Sequence, residues 1–191
     1  MLPTEAVAIG IVFLLLVITT NPGQNRPHKK KEAARARPSR IVMASIQVLA
    51  LLCAASAIPA RMYHIGYVPL PLAARVAGLL LMLGGLLLRV HSMQRLGRHY
   101  STVLAVRKTQ PLITNGIYGV IRHPIYLGDL VLYGAIGLAV GNYVFCLIMV
   151  GASVPASLLR IAQEERIMIA GFGAEYVEYR QRTAKLIPFI F

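Results

Sequence analysis

Five apolar stretches separated by polar, mostly basic connections constrain this chain more than any other feature. They run from Ala6 to Thr20, Ile41 to Ala60, Leu72 to about Ser92, Tyr126 to Val140 and Tyr143 to Leu159. An apolar run of about 20 residues, allowing for its flanks, matches the hydrocarbon thickness of a bilayer as a helix. Only helices and closed barrels satisfy their own backbone polar groups there. With 57% hydrophobic residues in 191 and a mean hydropathy of +0.63, a soluble domain of this length is excluded. The expected fold is therefore all-α: a polytopic integral membrane protein, one membrane domain over residues 1–191, with about five transmembrane helices. The first stretch also resembles the apolar core of a signal peptide. Glu5 stands where positive charge would be needed and a basic stretch follows rather than precedes it, so it reads as a retained first transmembrane helix.

The distribution of charge orients these spans. The chain carries 20 Lys and Arg against 7 Asp and Glu. Seven of the basic residues lie in the loop 25–40, which cannot enter hydrocarbon. With the amino terminus outside and the carboxyl terminus cytoplasmic, all but Arg61 and Arg75 fall on or near the cytoplasmic side, as the positive-inside rule requires. The basic loop sets topology and suits anionic headgroups, and no nucleic-acid-binding pattern accompanies the charge. Richness in Ala, Leu and Arg fits a bacterial inner membrane. Cys53 and Cys146 each sit in an apolar stretch, where Cys acts as a small hydrophobe. The five His are too dispersed for a metal motif.

Two regions follow. Residues 1–92 hold the amino-terminal spans; their third span contains Gly84 and Gly85, which permit close helix contact. Residues 93–191 form the expected catalytic region. It begins with a polar cytoplasmic-side segment to His123, marked by turn signals at Gln110-Pro111 and Asn115-Gly116. A helical hairpin over 126–159 follows, turning at Gly141-Asn142, and then a charged helical extension.

Chemistry concentrates at one end of that hairpin. Arg122-His123-Pro124-Ile125-Tyr126 stands where the polar segment enters the fourth span, and Pro124 suits a first helical turn. The free N–H groups of that turn, with Arg122 and His123, form a seat for a carboxylate. Interfacial anchoring by Arg and Tyr explains the same residues equally well. Arg160 and Glu164, four apart, share one helix face and form either an exposed pair or part of a site. The short hairpin turn returns them to the side of Arg122 and His123. A site with a basic and an acidic end beside the bilayer suits a zwitterionic ligand and a lipid-soluble one. Asp129, inside the fourth span, requires a partner; a structural role on a neighbouring helix is favoured over a place in the site. His91 and His99 read as interfacial or hydrogen-bonded residues.

Arg122-His123-Pro124-x-Tyr126-x-Gly128, followed beyond the hairpin by Glu164-Glu165 and then Phe172-Gly173-x-Glu175-Tyr176-x-x-Tyr179, resembles the isoprenylcysteine carboxyl methyltransferase family, to which the phospholipid methyltransferases are related. The resemblance covers about Gln110 to Phe191. It implies an all-helical membrane enzyme using S-adenosylmethionine as cofactor without a Rossmann domain, and no Gly-rich dinucleotide fingerprint is present here. By position, it implies cofactor contacts from Gln110, Pro111, Leu112, Ile113, Tyr118, Arg122, His123, Pro124, Tyr126 and Glu164, at a cytoplasmic-side site in the carboxyl-terminal third. Arg160 matches the substrate-side arginine, so Arg160 and Glu164 are the expected catalytic pair. Gln110 and Pro111 differ from the polar pair of the eukaryotic members. The implied partner is a lipophilic small-molecule or lipid-modified acceptor such as an isoprenylcysteine-like carboxylate, alongside membrane lipids. Two other readings compete. One is an NADPH-dependent membrane reductase related to the sterol reductases, with Arg107 and Lys108 for the extra phosphate; the other is a non-enzymatic lipid-binding scaffold.

Overall fold

The computed structural model describes residues 3–20, 44–100 and 111–188. The basic loop 25–40, Arg107, Lys108 and Gln110 lie outside the described residues. The described elements are helical: α1 (Pro3–Thr20), α2 (Ala44–Ala55), α3 (Ala57–Met62), α4 (Leu72–Leu96), α5 (Pro124–Val140), α6 (Tyr143–Phe172) and α7 (Ala174–Arg182). Extended pairing among the described residues is limited to isolated bridges at Tyr67 with Asn142 and Ile121 with Ala184. The all-helical expectation holds.

Two described helices, α4 and α6, are long and apolar enough to cross a membrane, while α2 and α5 are shorter apolar helices. The stretch expected as one span over Ile41 to Ala60 is divided at Ser56. Pro59 explains the division: it lacks an N–H and its ring crowds the carbonyl of Ala55, four residues back. The Ser56 hydroxyl instead donates to the Cys53 carbonyl at 3.1 Å. Conversely, the charged extension after Leu159 is continuous with the fifth apolar stretch, making α6 one helix of 30 residues.

Antiparallel α4 and α5 form the centre, and glycines let their backbones touch. A Cβ on Gly85 would stand 2.5 Å from the Gly128 carbonyl oxygen, and one on Gly78 would stand 2.5 Å from the Ala139 nitrogen. Gly84, by contrast, has nothing within 4 Å, so only Gly85 of that pair serves close contact. Around this centre a core forms from Ala8 and Val12 of α1, Ile46 and Ala50 of α2, Met82, Leu86, Leu132, Ile136 and Met149. Leu80, Leu87, Leu147 and Leu159 are more than half exposed. Such an apolar exterior is a liability in water and the natural surface in lipid.

The α5–α6 turn fixes the hairpin. Gly141 ends α5 in the left-handed region (φ 71°), and Asn142 caps α6 by accepting from the Phe145 N–H at 3.2 Å, a device worth about 1 kcal/mol. The Asn142 amide donates to the Ile65 carbonyl at 2.8 Å. Val68 N–H reaches the Gly141 carbonyl and Tyr143 N–H the Gly66 carbonyl, while Arg75 Nε reaches the Ala139 carbonyl at 3.3 Å. Closing this end with backbone bonds leaves the opposite end of the hairpin to side chains.

Candidate active site

At that opposite end, α5 starts with Pro124 in its first turn. The first-turn N–H groups of Ile125 and Tyr126 have no acceptor within the helix, as at any helix start. The chain entering α5 is held by the tail: Arg122 N–H donates to the Ala184 carbonyl at 2.9 Å, His123 N–H to the Lys185 carbonyl at 3.2 Å, and Ala184 N–H back to the Val120 carbonyl at 3.0 Å.

Tyr126 joins the two expected catalytic residues. Its hydroxyl donates to Glu164 Oε2 at 2.8 Å and accepts from Arg160 Nε at 3.1 Å. Arg160 is buried and Glu164 half-buried. The residues therefore do not form a solvent-exposed pair. They converge on the first turn of α5, as the short hairpin turn predicts.

One residue along, Glu165 organises a second cluster. Its Oε1 accepts from Arg122 Nε at 3.1 Å and lies 3.4 Å from His123 Nε2, while Oε2 is 3.5 Å from Arg180 Nη2. Arg122 also donates to the carbonyls of Arg180 at 2.9 Å and Thr183. Arg122 and His123 thus meet a carboxylate, and it is the protein's own. Consecutive glutamates on α6 divide the work: Glu164 faces Tyr126, and Glu165 ties the loop and tail together.

Tyr118 rides on a short 3-10 turn, Gly116–Gly119. Its hydroxyl donates to the Ser92 carbonyl at 3.3 Å, and Tyr179 of α7 donates to the Tyr118 carbonyl at 2.7 Å. Burial pushes the Tyr179 phenol up to about 12 and that of Tyr118 higher still, so both remain protonated donors at neutral pH. Pro111 is exposed, and Leu112 and Ile113, leading into this turn, are half-buried.

Asp129 has the partner its position demands, Arg89 of α4, and both are buried. Arg89 is the residue the sequence reading missed. Its signal was a charge inside an apolar helix, the same signal that singled out Asp129. The supporting parts of Glu165 and Arg180 carried no such signal, because their contact depends on how the tail folds back, and Ser92 takes part through its backbone carbonyl. His91 accepts from Arg95 Nε at 3.5 Å on an exposed face.

These features define a class: a helical membrane protein with a charged, partly buried site at one end of its bundle. A solved structure of the eukaryotic intramembrane Ras methyltransferase ICMT shares the fold, with a TM-score of 0.63 at 20% identity over 100% of this chain and 69% of that one. The model of the isoprenylcysteine carboxyl methyltransferase (ICMT) family matches residues 76–170 of this chain. Relatives include protein-S-isoprenylcysteine O-methyltransferase of Homo sapiens, 34% identical over 122 residues, 60% of this chain and 41% of that one. The B form of Arabidopsis thaliana is 31% identical over 121 residues, 59% of this chain and 58% of that one. Methanethiol S-methyltransferase 2 of Bradyrhizobium diazoefficiens is 37% identical over 76 residues, 39% of this chain and 28% of that one. The chain spans about half the length of the curated isoprenylcysteine relatives it matches.

Proposed function

We propose that this chain is an integral membrane methyltransferase that moves a methyl group from S-adenosylmethionine to a lipophilic acceptor, in the first instance an isoprenylcysteine-like carboxylate. The observation that carries the reading is the Tyr126 hydroxyl between Arg160 and Glu164, in the first turn of α5. The relatives' names favour methyl transfer over NADPH-dependent reduction or a scaffold role.

The residues present fit the cofactor by the chemistry of their donors. Glu164 supplies negative charge for a cationic ligand, and the α5 start suits its carboxylate. Leu112, Ile113 and Tyr118 offer apolar and aromatic surface for an adenine, and Gln110 and Pro111 precede them in the chain. His123 and Pro124 set the helix start, and Arg122 fixes it through Glu165. Bound there, S-adenosylmethionine supplies a methyl group activated on a sulfonium. Arg160 would hold the acceptor carboxylate by a charge-assisted hydrogen bond. An ionised carboxylate needs no general base, so orientation is what the protein must contribute.

In this reading the chain is one membrane domain with about five spans, amino terminus outside and carboxyl terminus cytoplasmic. Residues 93–191 form the catalytic region, and an inner bacterial membrane is the setting that the composition suits. The acceptor arrives laterally from the bilayer.

The test is transfer of tritiated methyl from S-adenosylmethionine to an S-prenylated N-acylcysteine in proteoliposomes. The expected product is a methyl ester that releases labelled methanol in base. Label retained through base treatment would contradict a carboxylate acceptor. A thiol acceptor, suggested by the name of the Bradyrhizobium relative, would then take its place.

A further inference from the structure

The ion pair between Arg89 and Asp129 is expensive and, for stability alone, unnecessary. Both residues are buried, and among the described residues Arg89 Nε and Asp129 Oδ1 have no hydrogen-bond partner. A buried pair with orphaned atoms is often no more stable than apolar side chains of the same size, and an orphaned buried polar atom calls for a reason beyond packing. The place of the pair supplies one. Asp129 lies three residues after Tyr126 on α5, hence on the same helix face. Arg89 faces it from α4, where Gly85 and Gly128 bring the two backbones together.

Tyr126 connects this pair to the site: one turn before Asp129 on α5, its hydroxyl accepts from Arg160 Nε at 3.1 Å and donates to Glu164 Oε2 at 2.8 Å.

We infer that Arg89 and Asp129 are positioning residues of the site: by fixing the register of α4 against α5, and with it the place of the Tyr126 hydroxyl, they set the orientation of Arg160 toward the acceptor. The inference rests on the proposed methyltransferase reading for its consequence in turnover, but not for the coupling it requires between the pair and Arg160.

The experiment replaces the pair by apolar residues, Arg89→Met with Asp129→Leu. The expected protein unfolds in detergent at or above the wild-type temperature and binds adenosylhomocysteine unchanged. Its kcat falls about 10²-fold, the scale of a misplaced reacting group. Wild-type kcat in this variant would overturn the inference. Should the variant not fold, Asp129→Glu keeps both charges and lengthens one arm of the pair; a fall in kcat is expected, and wild-type kcat overturns the proposal equally. A thermal double-mutant cycle between the pair variant, or Asp129→Glu in its place, and Arg160→Met needs no turnover. Non-additive shifts are expected, and additive shifts would overturn the coupling. Non-additivity in a protein that transfers no methyl group would break the functional proposal while leaving this one standing.

Discussion

The two ends of the α5–α6 hairpin are built from opposite materials. At the turn, Gly141 and Asn142 meet residues 65–68 through backbone groups and one amide side chain, and Arg75 binds a backbone carbonyl. At the other end, Arg160, Glu164, Glu165, Arg122, His123 and Arg180 meet one another largely through charged side chains. Neutral backbone pairing satisfies local groups and asks nothing of a ligand. A buried or half-buried set of charges needs more elaborate compensation, and keeps groups that a charged ligand can engage. The turn end closes the fold; the charged end is where binding energy is available.

This contrast gives predictions of decreasing size. Arg160→Ala and Glu164→Gln should each lower methyl transfer by about 10²-fold or more while the detergent-purified protein keeps its helical circular dichroism. Full activity in both would dissolve the distinction between the two ends. Gly85→Val, at neither end, should disturb both, because even a Cβ there would stand 2.5 Å from the Gly128 carbonyl oxygen. A loss of about 1–3 kcal/mol is expected from such overpacking, read as a lower unfolding temperature together with lower activity.

Asn142→Ala removes the cap on α6 and the bond to Ile65. It should reduce stability by about 1–2 kcal/mol, measured by thermal unfolding, with kcat of the folded protein unchanged. A specific loss of kcat would show that the turn communicates with the site. The smallest effect belongs to Glu178→Ala. Its pair with Arg182 is 3.4 Å apart and both side chains are about two-thirds exposed, so stability should shift by less than about 0.5 kcal/mol. A larger shift would mean that charge on α7 matters beyond its contacts with Glu165 and Arg122.

Hydropathy made the helical membrane class legible in the sequence, and the family motifs marked most of the candidate site. The return of Arg160 and Glu164 to the side of Arg122 and His123 could be read from a short turn and a spacing of four, because both are local rules. The break at Ser56 was also local, written in Pro59, yet it is hidden inside a composition uniform enough to pass for a single span. What stayed illegible was long-range. Glu165 joins Arg122 to Arg180 across chain segments that no periodicity links, and the Tyr179 contact to Tyr118 depends on α7 folding back. Arg89 lay between these cases: visible as a charge in an apolar helix, but assignable to Asp129 only once the glycines had fixed the register of α4 against α5.

The central claim is that the charged end is a methyl-donor site, and calorimetric titration of the detergent-purified protein with S-adenosylmethionine and adenosylhomocysteine tests it most directly. Binding of both ligands by the wild type, lost in Glu164→Gln at unchanged helicity, is the predicted result. No binding by a demonstrably folded wild-type protein, or equal binding by the variant, would contradict the account.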